Sequence, residues 1–310
     1  MIYTVTLNPA LDKTVEIRSL RIDSVNRITK MRTDPGGKGI NVSKVIQKLG
    51  RKSVAAGILG GDTGNAILSA LEAMGLETSF RFVEGETRTN LKIVDPAEHT
   101  NTDINEPGIT LSEEILDSYL KELLEKLVPG DIMVLSGSLP MGSPKDTYYT
   151  WVKACKEAGA KVILDADGEL FAAGIKASPY LIKPNDHELS GFMGRTLSTP
   201  AELAKAARQM MESYGIEKIV VSMGGAGALF VTKEDTIYAE GLKVPVGSTV
   251  GAGDSVVAAL AVAEEAGMSL EDTVRLATAT GAANVMCSGT QAAEYDVIQG
   301  LIPKVVFRKL

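Results

Sequence analysis

The stretch Ser248-Thr249-Val250-Gly251-Ala252-Gly253-Asp254-Ser255 decides how this chain is interpreted. It follows a strand-like run, turns on two glycines and opens an apolar run with helical spacing, Ser255 to Ala266. The first N–H groups of a helix have no partners within the helix, and the helix dipole favours negative charge there. Gly251 and Gly253 allow an anion to approach the backbone closely. The stretch therefore predicts an anion site at a helix N-terminus.

A carboxylate, Asp254, stands inside this predicted anion site. It would repel a resting phosphate, so its position favours a base that takes a proton from an attacking hydroxyl. The alternative is a plain turn in which Asp254 caps the helix. Phosphoryl transfer is the first hypothesis. The remaining motifs of the chain are needed to choose between a phosphoryl-transfer site and a capped turn.

The composition favours a globular protein that acts on a small anion. The chain has 310 residues, 45% of them hydrophobic, and a formal net charge of -7. A negative protein does not attract nucleic acid or anionic lipid broadly, so we expect neither as a partner. Cys155 and Cys287 are too few for a disulfide framework. With neither a membrane-length apolar run nor a signal-peptide pattern at Met1 to Leu11, we expect a cytoplasmic location.

Short β-branched runs alternate with segments of helical periodicity along most of the chain. This alternation predicts an α/β fold, with a mostly parallel central sheet that helices cover on both faces. The predicted strands are 2–7, 54–59, 132–135, 162–164, 180–182 and 219–221, and the predicted helices are 40–49, 66–74, 112–127, 146–158 and 201–214.

Two polar segments, about 12–33 and 86–108, interrupt this alternation and have no clear helix. The run Thr89 to Val94 alternates so that Leu91 and Ile93 share one apolar face. Such a sheet is too small to be stable alone, and a second subunit would cover its apolar face. We therefore expect one domain spanning residues 1–310, with these two segments inserted as a lid through which a homodimer forms.

Polar motifs follow the predicted strands, and in an open α/β sheet ligands bind beyond the carboxyl ends of the strands. A second glycine-rich stretch, Gly36 to Asn41, opens a helix and is expected to hold the phosphate acceptor. Asn41 and Asp12 suit sugar hydroxyls, and Lys38 suits a phosphate. The alternative is a tight turn before a helix. No Walker A motif or dinucleotide fingerprint is present, which disfavours a P-loop ATPase and an NAD dehydrogenase.

Two further motifs carry carboxylates. Asn185 and Glu188 are three residues apart at a predicted helix start, so they fit a hydrated Mg²⁺ ion, and equally an N-cap with its capping-box partner. Asp165 and Asp167 flank one alanine after a predicted strand. They fit catalytic carboxylates, but strand-end aspartates are commonly caps, and Asp254 is the better candidate for the base.

Taken together, Gly36 to Ser43 and Ser248 to Ser255 resemble the two signatures of the ribokinase-like (PfkB) sugar kinases, and the resemblance covers nearly the whole chain. It is closest to the phosphosugar branch, which contains 1-phosphofructokinase and tagatose-6-phosphate kinase. Gly37 to Asn41 and Thr87 to Asn90 point to the former. The resemblance implies a doubly wound sheet with a small β-sheet lid, and lids of two subunits that clasp into a dimer.

The resemblance also assigns roles to individual residues. It implies Asp254 as catalytic base, the backbone of Gly251, Ala252 and Gly253 as anion hole, and ATP and Mg²⁺ as co-substrate and metal. The metal would be held through water by Asn185 and Glu188. The implied acceptor residues are Asp12, Gly37, Lys38, Asn41, Arg88, Asn90, Arg27 and Ser136, and the implied ATP residues are Lys183, Asn185, Ser222, Gly224, Gly227 and Asn284.

The implied reaction is transfer of the ATP γ-phosphoryl group to D-fructose 1-phosphate, giving fructose 1,6-bisphosphate, with tagatose 6-phosphate as the alternative acceptor. Two rivals remain. A non-catalytic sugar-phosphate sensor would have no need of Asp254, and a nucleoside kinase would have no need of the basic residues Lys38 and Arg88.

Overall fold

The computed structural model of the protein describes residues 1–310. Its strands are β1 (Ile2–Thr6), β2 (Ala10–Ile17), β3 (Ile28–Gly36), β4 (Val54–Leu59), β5 (Glu77–Phe82), β6 (Arg88–Asp95), β7 (Thr100–Asn105), β8 (Ile132–Ser136), β9 (Lys161–Asp165), β10 (Leu181–Ile182), β11 (Lys218–Ser222), β12 (Gly227–Val231), β13 (Thr236–Glu240) and β14 (Phe307–Lys309). Its helices are α1 (Lys38–Lys48), α2 (Gly61–Ala73), α3 (Glu113–Leu124), α4 (Thr147–Glu157), α5 (Gly168–Gly174), α6 (Asp186–Phe192), α7 (Pro200–Tyr214), α8 (Ala252–Glu265), α9 (Leu270–Val285) and α10 (Tyr295–Leu301). No helix is long and apolar enough to cross a membrane.

The large sheet has ten strands in the order β14-β13-β12-β11-β10-β9-β8-β1-β4-β5. In this order, the seven neighbouring strands from β11 to β5 are parallel. Strands β12, β13 and β14 extend the sheet in antiparallel pairs. After β1 the chain builds outward to β4 and β5, and it then returns to the other side of β1 at β8. The order therefore reverses between β1 and β8, and ligands of such sheets bind at that point.

Alternate residues of the central strands face two different helical layers. On β1, Tyr3 and Val5 belong to a core cluster that also contains the buried Trp151 of α4. Ile2 of the same strand belongs to a second cluster, which contains Val257 of α8 and Val274 of α9. Both faces of the sheet are thus covered, as the near-continuous apolar strands require.

A second, small sheet has four strands in the order β3-β2-β6-β7. Its two central strands, β2 and β6, are parallel, and each outer strand is antiparallel to its neighbour. The registers place the polar residues Asp12, Thr14, Asn90 and Lys92 on one face. Strand β3 ends at Gly36 and α1 begins at Lys38, so a single residue joins this sheet to the helix. We call these four strands the small sheet.

The predicted fold class is confirmed, since helices flank a mostly parallel sheet and a small separate sheet lies beside it. Two details of the prediction are wrong. No strand precedes Ser248, because β13 ends at Glu240 and the chain is irregular from there to the helix. Helix α8 begins at Ala252 rather than at Ser255, which places Asp254 in its first turn.

Candidate active site

A cleft of about 460 Å³ lies where the order of the large sheet reverses, between that sheet and the polar face of the small sheet. It brings together eight of the residues that the sequence predicts for the site. They are Asp12, Gly37, Lys38, Asn41, Arg88, Asn90, Gly251 and Asp254. Gly137 and Ser138, which follow β8, line the same cleft. The convergence of these residues from five separate segments supports an assembled ligand site.

The N-terminus of α8 opens into this cleft. Gly251 is the N-cap, with φ of 79°, a left-handed conformation that a residue with a Cβ rarely adopts. The N–H groups of Gly253 and Asp254 make no backbone hydrogen bond. A Cβ placed on Gly253 would come no closer than 3.3 Å to another residue, the Lys183 ammonium. The geometry therefore leaves two free donors at the positive end of the helix dipole.

Asp254 is 7% exposed and accepts a hydrogen bond of 2.8 Å from Nδ2 of Asn41 on α1. Burial and the charge of Asp165 raise the pKa of Asp254 to about 6, against the opposing effects of the Asn41 hydrogen bond, Lys38 and Lys183. A carboxyl group with this pKa is ionised at neutral pH and accepts a proton more readily than an exposed aspartate does. These are the properties of a general base.

The glycine-rich stretch Gly36 to Asn41 lines the cleft beside the start of α8. Gly37 is the N-cap of α1, with φ of 115°. Asp12 of the small sheet lies against Gly36 and accepts a hydrogen bond of 3.0 Å from Nδ2 of Asn90. The Oδ1 atoms of Asn41 and Asn90 are buried and have no partner. Unpaired buried polar atoms are rare, so these two oxygens favour a polar ligand in the cleft.

Asp165, at the end of β9, bridges the two lysines of the site. Its Oδ2 lies 3.4 Å from Nζ of Lys38, and its Oδ1 lies 3.4 Å from Nζ of Lys183. Burial raises the pKa of Asp165, but the two ammonium groups outweigh burial and hold the pKa below its ordinary value. The carboxylate thus stays ionised between two cations that flank the start of α8.

Arg88 lines the cleft, but its guanidinium is already engaged. Its Nη2 donates to the carbonyl of Asn8 at 3.0 Å and its Nη1 to the carbonyl of Glu106 at 3.3 Å, while its Nε is buried without a partner. Arg27 is not brought to the cleft, because it lies exposed in the loop between β2 and β3. Of the two arginines predicted for the acceptor site, only Arg88 is therefore in place within this chain.

Asn185 and Glu188 form a capping box at the start of α6, which is the alternative that their spacing left open. Oδ1 of Asn185 accepts from the Glu188 N–H at 2.7 Å, and Oε2 of Glu188 accepts from the Asn185 N–H at 2.8 Å. The second carboxylate oxygen of Glu188 makes no hydrogen bond. No group of three or more His, Cys, Asp or Glu side chains is placed to hold a metal ion. A metal here would have to keep much of its water.

The other residues predicted for the nucleotide lie along the carboxyl ends of β10 and β11 and beside α8. Ser222 pairs with Asn185 in an isolated bridge, and Gly224 is exposed with open space beside it. Asn284 on α9 is 2% exposed, and its Oδ1 is unpartnered. It lies behind Gly251, where a Cβ would be 3.4 Å from its Nδ2.

Two predicted residues, Gly227 and Ser136, are not among the residues that line the cleft. A Cβ on Gly227 would lie 2.0 Å from the carbonyl oxygen of Ala239, so packing of β12 on β13 accounts for this glycine. Ser136 is fully buried at the end of β8, and its Oγ has no partner.

The cleft also contains residues that the sequence reasoning missed. Lys92, Asp103 and Asn105 of the small sheet and Thr290 beyond α9 line it. Lys92 follows Asn90 by two residues, and its ammonium lies 3.2 Å from Oδ1 of Asp103. The two-residue alternation of a strand, extended from Arg88 and Asn90, was the signal that identifies Lys92. No such pattern marks Thr290.

Comparison with known proteins agrees with this geometry. Residues 5–296 match the pfkB family carbohydrate kinase profile. The chain is 38% identical to a 1-phosphofructokinase of Bacillus subtilis, with all of both chains covered, and 35% identical to one of Haemophilus influenzae, covering 98% of this chain and 97% of the relative. The structure of phosphofructokinase-2 from Escherichia coli in complex with potassium superposes with a TM-score of 0.93 at 33% identity, covering 98% of each chain.

The match extends over nearly the whole chain and includes every segment that lines the cleft. A carbohydrate kinase of this family uses ATP and transfers a phosphoryl group to an alcohol group of its acceptor, so the chain is a phosphotransferase. The protein belongs to the pfkB family of carbohydrate kinases.

Proposed function

We propose that the protein transfers the γ-phosphoryl group of ATP to O6 of D-fructose 1-phosphate, giving ADP and fructose 1,6-bisphosphate. The observation that carries the proposal is Asp254, a buried base with a raised pKa in the first turn of α8, beside free N–H donors. The relatives named 1-phosphofructokinase support the choice of acceptor.

In this proposal the cleft divides into an acceptor wall and a phosphoryl wall. Asp12, Asn41 and Asn90 hold sugar hydroxyls, and Arg88 with Lys38 holds the phosphate that the acceptor already carries. Asp254 takes the O6 proton as that oxygen attacks the γ-phosphorus in line. The N–H groups at the α8 N-terminus and Lys183 meet the charge that develops on the transferring group. Ser222, Gly224 and Asn284 border the nucleotide.

Mg²⁺ would bind with ATP beside α6. The free carboxylate oxygen of Glu188 suits an outer-shell contact to a hydrated ion, which commonly uses only one or two protein carboxylates. When bound, the ion would neutralise charge on the ATP phosphates. Asn185 and Glu188 hold their places through the capping box, so the same hydrogen bonds serve the helix and orient that oxygen.

We also propose that residues 1–310 form one domain, with the small sheet as its lid, and that two lids join in a homodimer. The face opposite the cleft carries Met31 and Ile104, which are 59% and 54% exposed. Leu91 and Ile93, the pair expected on this interface, lie on the same face, but Ile93 already packs within the chain against Val15 and Ile17. The E. coli neighbour also has a tetrameric inhibited form.

The unpaired cysteines suit the expected cytoplasmic location.

Replacing Met31 and Ile104 by Asp should yield monomers in sedimentation velocity, while leaving the buried residues of the small sheet intact. The matched control replaces two exposed residues outside this face, Val128 and Val306, which are 58% and 59% exposed. Unchanged sedimentation of the Met31 and Ile104 variant would contradict dimerisation through the small sheet.

One assay decides the acceptor: coupled ADP release at equal concentrations of fructose 1-phosphate, tagatose 6-phosphate, fructose 6-phosphate, ribose and adenosine. We expect the highest kcat/KM with fructose 1-phosphate. A preference for either other ketose phosphate would replace the named acceptor and keep the basic cluster. Equal use of ribose or adenosine would contradict the phosphate-binding role of Lys38 and Arg88, and no ADP release with any acceptor would favour a sensor.

A further inference from the structure

Helix α1 contains a buried lysine that the proposed reaction does not use. Lys44, on α1, is 8% exposed, whereas lysines are almost never buried without a partner. Its single hydrogen bond runs from Nζ to the carbonyl oxygen of Pro35, at 3.0 Å. Pro35 lies near the carboxyl end of β3, one residue before the strand ends at Gly36. The bond therefore joins the small sheet to the helix directly beside their covalent connection.

Charged groups on three other elements influence the charge of this ammonium, although none of them pairs with it directly. The carboxylates of Asp34 on β3, Asp12 on β2 and Asp254 on α8 act on it, in decreasing order, and Arg32 on β3 is the cation that opposes them. Burial lowers the pKa of Lys44, and the three carboxylates counter that shift. In turn, burial raises the pKa of Asp12, while the Asn90 hydrogen bond, Lys44 and Arg88 lower it. Lys44 is thus a counter-charge for Asp12, a residue that is predicted to bind the sugar.

We propose that Lys44 is a positioning residue of the acceptor site, which fixes the end of strand β3 on helix α1 and supplies a counter-charge for Asp12. It does not line the cleft, so it acts through Pro35 and the carboxylates rather than by touching the sugar. This inference rests on the proposed assignment of the acceptor wall.

The test is Lys44→Met, which keeps the length of the side chain and removes the charge and the donor. KM for the sugar phosphate should rise roughly tenfold, because the strand end that leads into Gly37 is no longer held on α1, with little change in KM for ATP. The acid limb of the kcat/KM profile should move to higher pH, because loss of a nearby cation raises the pKa of a carboxyl group. Lys44→Arg, which keeps the charge and a donor, should restore the limb.

Lys48→Met is the matched control. Lys48 is on the same helix one turn further along, and it is 37% exposed in its side chain with an ion pair of 2.6 Å to Glu294. This variant should leave both KM values and the pH profile unchanged. Equal rises in both KM values for Lys44→Met, or a lower melting temperature with an unmoved pH profile, would show a purely structural lysine and overturn the proposal.

Calorimetric titration of the sugar phosphates without ATP separates this inference from the proposed function. If the wild type turns over another ketose phosphate instead of fructose 1-phosphate, the named acceptor fails, and the Lys44 variants are compared with the sugar that does bind. If Lys44→Met binds that sugar as tightly as the wild type at every pH, the Lys44 proposal fails while the proposed reaction stands.

Discussion

The two glycine-rich helix starts resemble each other in sequence and differ in what surrounds their glycines. At the start of α1, a Cβ on Gly39 would lie 2.6 Å from Oγ1 of Thr6 and 2.7 Å from the carbonyl oxygen of Val5. At the start of α8, a Cβ on Gly253 would meet only the end of the Lys183 side chain, whose ammonium would be 3.3 Å away. Packing within the protein therefore requires glycine at position 39, in the loop before α1. In the loop before α8, Gly253 borders only the end of one side chain.

This difference separates two uses of one motif. In the α1 loop, glycine allows the small sheet, β1 and the helix to pack at close range, and the acceptor residues are positioned as a result. In the α8 loop, no backbone of another segment lies against Gly253 and the free N–H groups have no partner in the protein, so glycine preserves access for a ligand. Substitutions in the α1 loop are therefore expected to affect mainly the stability of the fold. Substitutions in the α8 loop are expected to affect mainly phosphoryl transfer.

The largest expected effect concerns the α8 loop. Asp254→Asn should lower kcat by roughly 10²- to 10⁴-fold, the usual contribution of a positioned general base, while sugar binding is retained. A variant with more than about a third of wild-type kcat would exclude Asp254 as the base. At pH 7 the same variant should melt at a higher temperature, because ionising a buried carboxyl whose pKa is raised costs stability.

On the acceptor side, Arg88→Ala should reduce kcat/KM for the phosphosugar by roughly 10- to 150-fold, the cost of one charge-assisted hydrogen bond. Free fructose, which lacks the phosphate, should be affected far less and serves as the control substrate. Because Arg88 also donates to the carbonyls of Asn8 and Glu106, part of the loss has a structural origin. Equal losses of kcat/KM with both sugars would mean that Arg88 acts only through its contacts within the protein.

A pair of alanine substitutions tests the comparison directly. Gly39→Ala should lower the free energy of unfolding by about 1 to 3 kcal/mol, since the new methyl group overlaps the backbone of β1. Gly253→Ala should leave stability within about 0.5 kcal/mol but lower kcat/KM for ATP at least about tenfold, because the methyl group occupies the anion site. Urea titration and steady-state kinetics measure the two effects. A reversed pattern would break the distinction between the loops.

The pH profile of the wild type gives the next test of the α8 loop. With a pKa of about 6 for Asp254 in the free enzyme, kcat/KM should fall about fivefold between pH 6 and pH 5, as the base becomes protonated. The folded pKa lies above the ordinary value of 3.8, so the folded state binds more protons between these values. Asp254 therefore contributes stability below about pH 4, which is lost as the pH rises through 6. An acid limb near pH 4 would contradict the raised pKa.

The smallest expected effect concerns the metal. Glu188→Gln should raise the Mg²⁺ concentration for half-maximal rate several-fold, because an outer-shell charge is lost. The amide oxygen can still accept the Asn185 N–H, so the capping box and the melting temperature should be preserved. If the Mg²⁺ titration superimposes on that of the wild type, Glu188 is a cap residue alone.

The sequence predicted the architecture well, because buried parallel strands and helix periodicity are local patterns. Strand β4 (Val54–Leu59) and helix α7, with its Thr199 and Glu202 capping box, lie close to the predicted bounds. The boundaries failed where burial depends on distant segments, as in the irregular run before Ser248. Asp254 and Asn41 were predicted from the chemistry of their side chains and from their positions in the glycine-rich stretches. Lys44 was missed because nothing in a single lysine shows whether the fold will bury it.

The hydrogen bond between Asn41 and Asp254 joins residues 213 positions apart, and the bond between Asp12 and Asn90 spans 78 positions. The central strand pair β1 and β8 also connects residues about 130 positions apart, such as Ile2 and Ile132. Contacts between such distant residues form late and slow the folding of a chain. The polar contacts of the cleft therefore form only when the whole chain has folded. A nascent chain would have most of its acceptor wall translated well before its base.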